Sequence, residues 1–239
     1  MKRLIRLMPL LFLIAACGPG EDPTYDPSQD ETIINFPDPK MESCIRTRAF
    51  VPDGYPIRVM DVYNLSRIEC ISTGITDLTG LEKMPWVVEL DFNGNPITSL
   101  EPLRSLSALE KLDIGGGGVS DMSPLEDLPN LVQLYLPANI IENISSVGKM
   151  GAIRRLNLYG NKIRDVEPAS LATGLENLSL YNNYIENIES LKSLLNLDRV
   201  ALEGNCITDF SPIEYLKKNG KLTTATGDTA EEQDYARCQ

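Results

Sequence analysis

The sequence predicts a solenoid of seven coils, and two observations support that fold class. One pattern recurs without gaps at a spacing of 22 residues, and a fixed period of this length is typical of solenoid proteins. Seven positions of every unit are apolar, which makes 49 apolar sites in a chain that is only 42% apolar. This regularity indicates one continuous buried stack, and it leaves a long regular surface free for binding.

Each unit reads LxxLxLxxNxIxxLxxLxxL, and positions are numbered here from its first residue. The first unit begins at Leu65, and the period stops after Leu216. The pattern resembles the bacterial leucine-rich repeats of the 22-residue, internalin-like class. That resemblance implies an α/β solenoid with a parallel β ribbon on the concave face and a 3₁₀ or irregular return on the outer face. Alternation along each strand then points positions 4 and 6 inward and positions 3, 5 and 7 outward.

Position 9 is usually Asn, and we interpret this column as structural. It is occupied by Thr73, Asn95, Gly117, Asn139, Asn161, Asn183 and Asn205. A side-chain amide both donates and accepts hydrogen bonds, so the column is expected to satisfy the backbone of buried turns. On the outer turns, a Ser or Glu before Pro, as in Ser123-Pro124, suggests a cap in front of a first helical residue.

The two ends of the solenoid need covers, because a terminal coil would expose apolar surface. Asp38-Pro39 predicts a helix cap and first helical residue, Ile45 and Phe50 are expected to face the first coil, and a second short helix is expected around Ile57–Leu65. The chain then divides into residues 1–16 (signal peptide), 17–37 (lipidated Cys and tether), 38–64 (N-terminal helical cap), 65–216 (repeats) and 217–239 (irregular C-terminal cap).

The N-terminus predicts export. Three basic residues precede ten apolar ones, Leu7–Ala16, which is too short for a spanning helix and is typical of a secretory signal. The signal ends in Ile14-Ala15-Ala16-Cys17, which resembles a bacterial lipobox. We therefore expect acylation of Cys17, palmitate included, with ordinary cleavage and a free Cys17 as the alternative.

These features predict an exported lipoprotein of the cell envelope. Several acyl chains anchor a protein stably, whereas one chain is marginal. Gly18 after the cysteine favours the outer membrane, with either its periplasmic or its surface face open. The segment 18–37 is rich in Pro, Asp, Glu and Ser and has too little apolar surface to fold alone, so we expect a disordered tether.

The remaining four cysteines allow three disulfide pairings. Cys70 lies in the first coil and Cys206 in the seventh, roughly 29 Å apart at six strand spacings. A disulfide joins Cα atoms only about 4.4–6.8 Å apart. We therefore pair Cys44 with Cys70 and Cys206 with Cys238, one bond in each cap. Metal ligation is the alternative, but the chain has no His and no CxxC pair.

Charge limits the partners. The chain has 22 basic and 34 acidic residues, and loss of the three basic signal residues leaves a net charge of −15. Nucleic acid is disfavoured, since phosphate binding needs a basic surface. Direct adsorption to anionic lipid is disfavoured too, so the lipid on Cys17 is the expected membrane contact. A partner with a basic patch would be attracted. We expect a monomer without cofactors.

The exposed ribbon face is uneven along the solenoid. Coils four to six carry Tyr135, Arg155, Tyr159 and Tyr181 at outward positions. Tyr and Arg dominate interface hot spots, and we predict a ligand-binding patch from these four residues. The alternative is that the aromatic rings pair across strands and stabilise the ribbon.

Coils one to three instead carry the acidic column Glu69, Asp91 and Asp113. Like charges at strand spacing raise each other's pKa or recruit a cation, so these three are weak metal candidates. Compensation by Arg67 and Lys111 in the neighbouring column is the expected arrangement.

Three functions follow from the sequence. The first is a non-enzymatic, lipid-anchored module that binds a protein or glycan on its concave face. The second is a structural envelope lipoprotein without one discrete ligand. The third, a carboxylate-dependent hydrolase, is remote, because paired carboxylates on an open ribbon lack a pocket that excludes water. No nucleophile–His pair exists in a chain without His, so we expect no enzyme.

Overall fold

A computed structural model of the chain describes residues 26–234 and residue 236. Strands of three residues follow one another at a fixed interval: β1 Arg67–Glu69, β2 Glu89–Asp91, β3 Lys111–Asp113, β4 Gln133–Tyr135, β5 Arg155–Asn157, β6 Asn177–Ser179, β7 Arg199–Ala201 and β8 Thr224–Thr226. The α-helices are α1 Pro39–Ala49, α2 Val59–Val62 and α3 Ser211–Asn219. The 3₁₀ helices are Pro27–Gln29, Leu81–Lys83, Glu101–Leu103, Ser123–Leu125, Ser145–Lys149, Glu167–Leu171, Glu189–Ser193 and Ala230–Glu232.

The eight strands form one parallel sheet in sequence order, β1 to β8. Each of the first six pairs with the next in a register of 22 residues, as Ile68 with Leu90. The period therefore sets the pairing, because equivalent residues stack on one another. The apolar sites of the repeat are buried in every coil, except for Leu65 and Phe210 at the two ends, which are half-buried.

The Asn column binds neighbouring coils together, as predicted. Asn161, for example, accepts from the Ile141 N–H at 3.0 Å and donates to the Leu136 and Leu158 carbonyls at 3.0 and 2.9 Å. Gly117 interrupts the column, and the Ile97 N–H that an Asn there would bind instead donates to the carbonyl of its own coil's Asn95, at 2.8 Å. Residue 117 has no room for a side chain. A Cβ at Gly117 would lie 2.5 Å from the Ile97 carbonyl oxygen.

The outer turns begin differently from the prediction. The Ser and Glu residues before proline do not cap the 3₁₀ helices with their side chains. A polar side chain at position 13 does this work, accepting from the N–H two residues later, as Asp121 does from Ser123 at 2.8 Å. The same contact recurs in all seven coils, at Asp77, Ser99, Asp121, Asn143, Asp165, Asn187 and Asp209. Two polar columns, one on each side of the core, thus fix every coil.

The N-terminal cap is tied to the first coil by an ionised side chain. Asp38 caps α1 by accepting from the Lys40 and Met41 N–H groups, and its second oxygen accepts from the Thr76 and Asp77 N–H groups of coil one. Burial alone would raise the pKa of this carboxyl, but the hydrogen bonds from Thr76, Lys40 and Met41 outweigh it and lower the pKa to about 2.

The predicted cap residues fare unequally. Ile45 is fully buried, as predicted, and a disulfide joins Cys44 to Cys70 with Cα atoms 6.1 Å apart. The prediction for Phe50 is wrong, because this residue ends α1 in the left-handed conformation with φ of 55° and turns its ring outward, 90% exposed.

The C-terminal region is more regular than the irregular cap that the sequence predicts. The last repeat closes with α3 in place of a 3₁₀ turn, and β8 then adds a further strand to the sheet. β8 pairs with β7 at an offset of 25 residues, as Val200 with Ala225, so the 22-residue period gives no sign of it. Cys206 is disulfide-bonded, while Cys238, to which we paired it, lies outside the described residues.

Candidate functional site

The concave face carries a groove over its C-terminal half. A cavity of about 820 Å³ runs across β4 to β8 and reaches the rim at Asn196 and Lys221. Its floor is low because the side chains at outward position 5 are smaller beyond coil four. Tyr135 in coil four gives way to the smaller Asn157, Ser179 and Ala201 and then, in the terminal strand, to Thr226. The groove is therefore a product of side-chain size in one column.

The structure divides the four predicted patch residues into two pairs. Tyr135 and Arg155 line the groove, and both contact Gln133 Oε1, the tyrosine hydroxyl at 3.0 Å and the guanidinium at 3.5 Å. Tyr159 and Tyr181 lie in the next outward column and do not line it. Their rings stack on each other, with centroids 5.0 Å apart and planes at 21°.

The stacked pair is compatible with both hypotheses for the aromatic residues, a binding patch and cross-strand stabilisation of the ribbon. Stacking across strands stabilises the ribbon, as in the structural alternative. Yet Tyr159 and Tyr181 keep 38% and 37% of their surface exposed, so their outer faces and edges remain available to a partner. The core behind them is complete without either ring, since positions 4 and 6 are buried in each coil.

The N-terminal half of the same face is a network of ion pairs. Arg67 contacts Glu69 at 2.8 Å and Glu89 at 3.3 Å, and Lys111 lies 3.9 Å from Glu89. The predicted compensation of the acidic column is therefore confirmed for Glu69 alone, because the other two contacts go to Glu89 in the neighbouring column. Exposed pairs of this kind add little stability, so their main effect is on the field at the surface.

Asp113 is a member of the acidic column whose pKa is raised. Burial and the neighbouring charge of Asp91 raise the pKa of Asp113 to about 6, although Lys111 and a hydrogen bond from the Asn93 amide at 3.2 Å oppose the shift. The column thus holds a carboxyl that takes up a proton in mildly acidic solution. Neither Asp91 nor Asp113 lines the groove.

The described part of the chain contains neither a metal-binding cluster nor a membrane-spanning helix. Within residues 26–234 and 236, no three His, Cys, Asp or Glu side chains are arranged to hold a metal ion, so the acidic column does not form such a group. No helix in that part is both long and apolar enough to cross a bilayer. The signal segment 1–16, Cys17 and the predicted tether up to residue 25 lie outside the described residues. For residues 26–37 the prediction of a disordered tether is wrong, because Ile34 and Phe36 are buried in the core and the Ile34 N–H donates to the Ile57 carbonyl at 2.8 Å.

Comparison with known proteins gives the fold. No protein-family model matches the sequence, and no curated protein does. The chain is similar to the crystal structure of an internalin (inlF) from Listeria monocytogenes str. 4b F2365, with a TM-score of 0.76 and 27% identity; the match covers 82% of this chain and 58% of that one. It is also similar to internalin C2 of the same strain, with a TM-score of 0.61, 26% identity, and coverage of 83% and 98%.

A leucine-rich repeat protein of Leptospira interrogans has a similar fold, with a TM-score of 0.56, 21% identity, and coverage of 63% of this chain and 40% of that one. The chain spans 58% of the length of the first internalin. With its eight parallel strands in one open sheet, the protein is a leucine-rich repeat solenoid.

Sequence reasoning located the tyrosines but missed the groove. Three of its charged members, Glu176, Asp198 and Lys221, stand outside the outward columns at positions 3, 5 and 7. Thr224 and Thr226 belong to a strand that the period does not reveal. The signal available in the sequence was the fall in side-chain size along position 5, from Tyr135 to Ala201.

Proposed function

We propose that this protein is a non-enzymatic, lipid-anchored module of the bacterial cell envelope that binds a protein partner on its concave face. The observation that carries the proposal is the stacked pair Tyr159–Tyr181 beside a groove of about 820 Å³, on a face that the fold leaves open. Solenoids use such faces for binding. The likeness to internalins supports a protein-binding repeat module.

The interface physics favours this half of the ribbon. Aromatic rings and guanidinium groups supply large contact areas and dominate binding energy when a partner excludes water from them. Tyr159 and Tyr181 are already ordered by their stacking, so a partner would lose little side-chain freedom on covering them. The ordered pair beside a groove is therefore a suitable anchor.

The test begins with cross-linking in intact cells. A photoreactive amino acid at Ser179, in the groove, should capture a partner, and the same group at exposed Leu171 on the outer face should not. The double substitution Tyr159→Ala/Tyr181→Ala should then abolish capture from Ser179. Capture that is equal from both faces would instead favour the structural envelope protein.

A matched control guards against damage to the fold. Tyr55→Ala/Tyr215→Ala removes two exposed tyrosines that lie away from the ribbon, in the N-terminal cap and in α3. This variant should leave capture unchanged, and both doubles should keep the unfolding midpoint within a few degrees. Capture that survives in a folded Tyr159→Ala/Tyr181→Ala protein would refute the proposal.

The anchor on Cys17 is tested separately. Lipidation places acyl groups on the cysteine, so mass spectrometry of the N-terminal peptide should show their added mass. Cys17→Ser should release the protein from the membrane fraction. A membrane-bound Cys17→Ser protein, or an unmodified Cys17, would refute the lipid anchor without affecting the concave face.

The carboxylate pair does not favour a hydrolase. Asp91 and Asp113 stand in the acidic half, away from the groove that would have to shelter a reacting bond from water. Asp113 is also held by the amide of Asn93. Any turnover that disappears in Asp91→Asn would revive this alternative.

A further inference from the structure

The groove has a net positive lining, although the protein as a whole is acidic. The chain has a net charge of −12, which by itself favours a basic partner. The outward residues within strands β4 to β8, at positions 3 and 5, however, include no acid and two arginines, Arg155 and Arg199. Glu203 follows β7 at position 7 and does not line the groove. Lys221 adds a third positive charge at the rim, where its Nζ lies 2.9 Å from Asn196 Oδ1.

The two arginines are spaced to act on one group. Arg155, Asn177 and Arg199 are in register on three adjacent strands, so the arginine Cα atoms stand two strand spacings apart, about 9.6 Å. Asn177 lies between them and supplies an amide. A carboxylate above Asn177 would be within reach of both guanidinium groups, which bind carboxylates with paired N–H donors.

Arg155 has no close acidic partner among the described residues, and Arg199 has a single ion pair that leaves most of its side chain exposed. No acidic side chain in the described part of the chain lies within 4.0 Å of Arg155. Arg199 contacts Asp198 through one nitrogen at 3.5 Å, and its side chain stays 70% exposed. Asp198 also accepts a hydrogen bond from the Thr223 hydroxyl. Glu176 and Asp198 both line the groove and oppose a bound anion, against the three positive charges of Arg155, Arg199 and Lys221.

The groove has the dimensions of an extended peptide. Four strands from β5 to β8 span three spacings, about 14 Å, and extended chain advances about 3.3 Å per residue, so about four residues fit. Repulsion from the acidic coils is screened over about 8 Å at physiological salt, so the local charges decide what enters.

We propose that this groove binds an extended, acidic segment of the partner protein, with a carboxylate held between Arg155 and Arg199. The inference rests on the proposed function and adds its chemistry to it. The acidic coils one to three would then face a neutral or basic part of the same partner, which fixes the direction in which the partner lies along the ribbon.

The probe is a displayed library of random twelve-residue peptides selected on the purified full chain. Enriched peptides should carry more Asp and Glu than the unselected library. Their synthetic versions should weaken at least about tenfold when Asp and Glu are replaced by Asn and Gln, and should weaken as salt increases. Arg155→Gln/Arg199→Gln should cause a similar loss, whereas Glu176→Gln should strengthen binding.

The control is Arg104→Gln/Lys149→Gln, which removes the same charge from exposed ion pairs of the outer turns. It should leave affinity unchanged. Enriched peptides that are neutral or basic, or that ignore Arg155→Gln/Arg199→Gln yet need Tyr159 and Tyr181, would overturn the acidic segment and leave the concave module standing. Failure of all peptides to bind the concave face would count against both. A neutral glycan bound independently of the two arginines would also overturn the acidic segment.

Discussion

The two halves of the concave ribbon share one backbone and one core, yet their surfaces differ. Coils one to three present four carboxylates, two of which are paired with Arg67 and Lys111. Coils four to seven present stacked rings and guanidinium groups beside a groove. The inward columns are the same in both halves because folding constrains them. The difference shows that in a repeat protein the residues available for function are those at the outward positions, where the repeat varies.

The halves also differ in their buried amides. The second half has an unbroken run from Asn139 to Asn205, whereas the first half has Asn95 alone between Thr73 and Gly117.

The largest effect is expected from removing an amide in the unbroken run. Asn161→Leu leaves the buried Ile141 N–H and the Leu136 carbonyl without partners, while the Leu158 carbonyl keeps its hydrogen bond from Asn183, so the free energy of unfolding should fall by about 3 kcal/mol or more. Urea unfolding measures it. Exposed Asn130→Leu is the control and should change stability by about 0.5 kcal/mol or less. A loss below about 1 kcal/mol at Asn161 would show that the column is dispensable.

The next effect concerns the cap of the acidic half. Asp38→Ala removes the acceptor of both α1 and coil one, and we expect a loss of about 2–3 kcal/mol at neutral pH. Because the pKa of Asp38 is lowered from 3.8 to about 2, its stabilisation is present above pH 4 and is lost as the pH falls toward 2.

Asp38→Asn separates the charge of this cap from its shape. The amide keeps an acceptor oxygen but does not titrate in acid, so the variant should lose less stability between pH 4 and pH 2 than the natural protein does. Equal acid sensitivity of the two proteins would show that Asp38 does not set this window.

A smaller effect is expected where the column is broken. Gly117→Asn restores the repeat consensus, but its Cβ would clash with the Ile97 carbonyl oxygen at 2.5 Å, so stability should fall by about 1–3 kcal/mol. Gly151→Ala is the matched control, since nothing lies within 4 Å of its added Cβ. A stabilised Gly117→Asn protein would mean that coil three adapts without strain.

The smallest effect is a pH dependence confined to the acidic half. The pKa of Asp113 is raised from 3.8 to about 6, so the folded state holds this proton longer than the unfolded chain. Stability from this group is full below pH 4 and declines as the pH rises through 6. Asp113→Asn should remove that decline and be the more stable protein at pH 7. Parallel pH profiles of the two proteins would contradict the shift.

The period explains why so much of the fold is predictable from sequence. A side chain that stacks on its equivalents in the core must be apolar in every unit. The positions of Leu134 and Ile163 are apolar in all seven units, and this repetition predicts their burial. Asp38 is predictable for a local reason, since a cap followed by Pro has few other uses.

The remainder depends on contacts that do not repeat. Phe50 is apolar but follows a helix end whose left-handed turn points it outward. β8 lies at an offset of 25, outside any period. The groove forms because the small side chains of Ser179 and Ala201 lie close to the cap residue Lys221. The spacing of these residues in the sequence does not predict that they are neighbours in the structure.

One measurement separates the two halves directly. A photoreactive amino acid is placed in intact cells at position 5 of two coils, replacing Asp91 in the acidic half and Ser179 in the groove half. Both sites point outward from the same column of the same sheet, so only the local surface differs. We expect a clearly higher yield of partner cross-links from Ser179, which lies in the groove, than from Asp91. Equal yields from both sites, or cross-links from Asp91 alone, would contradict this expectation.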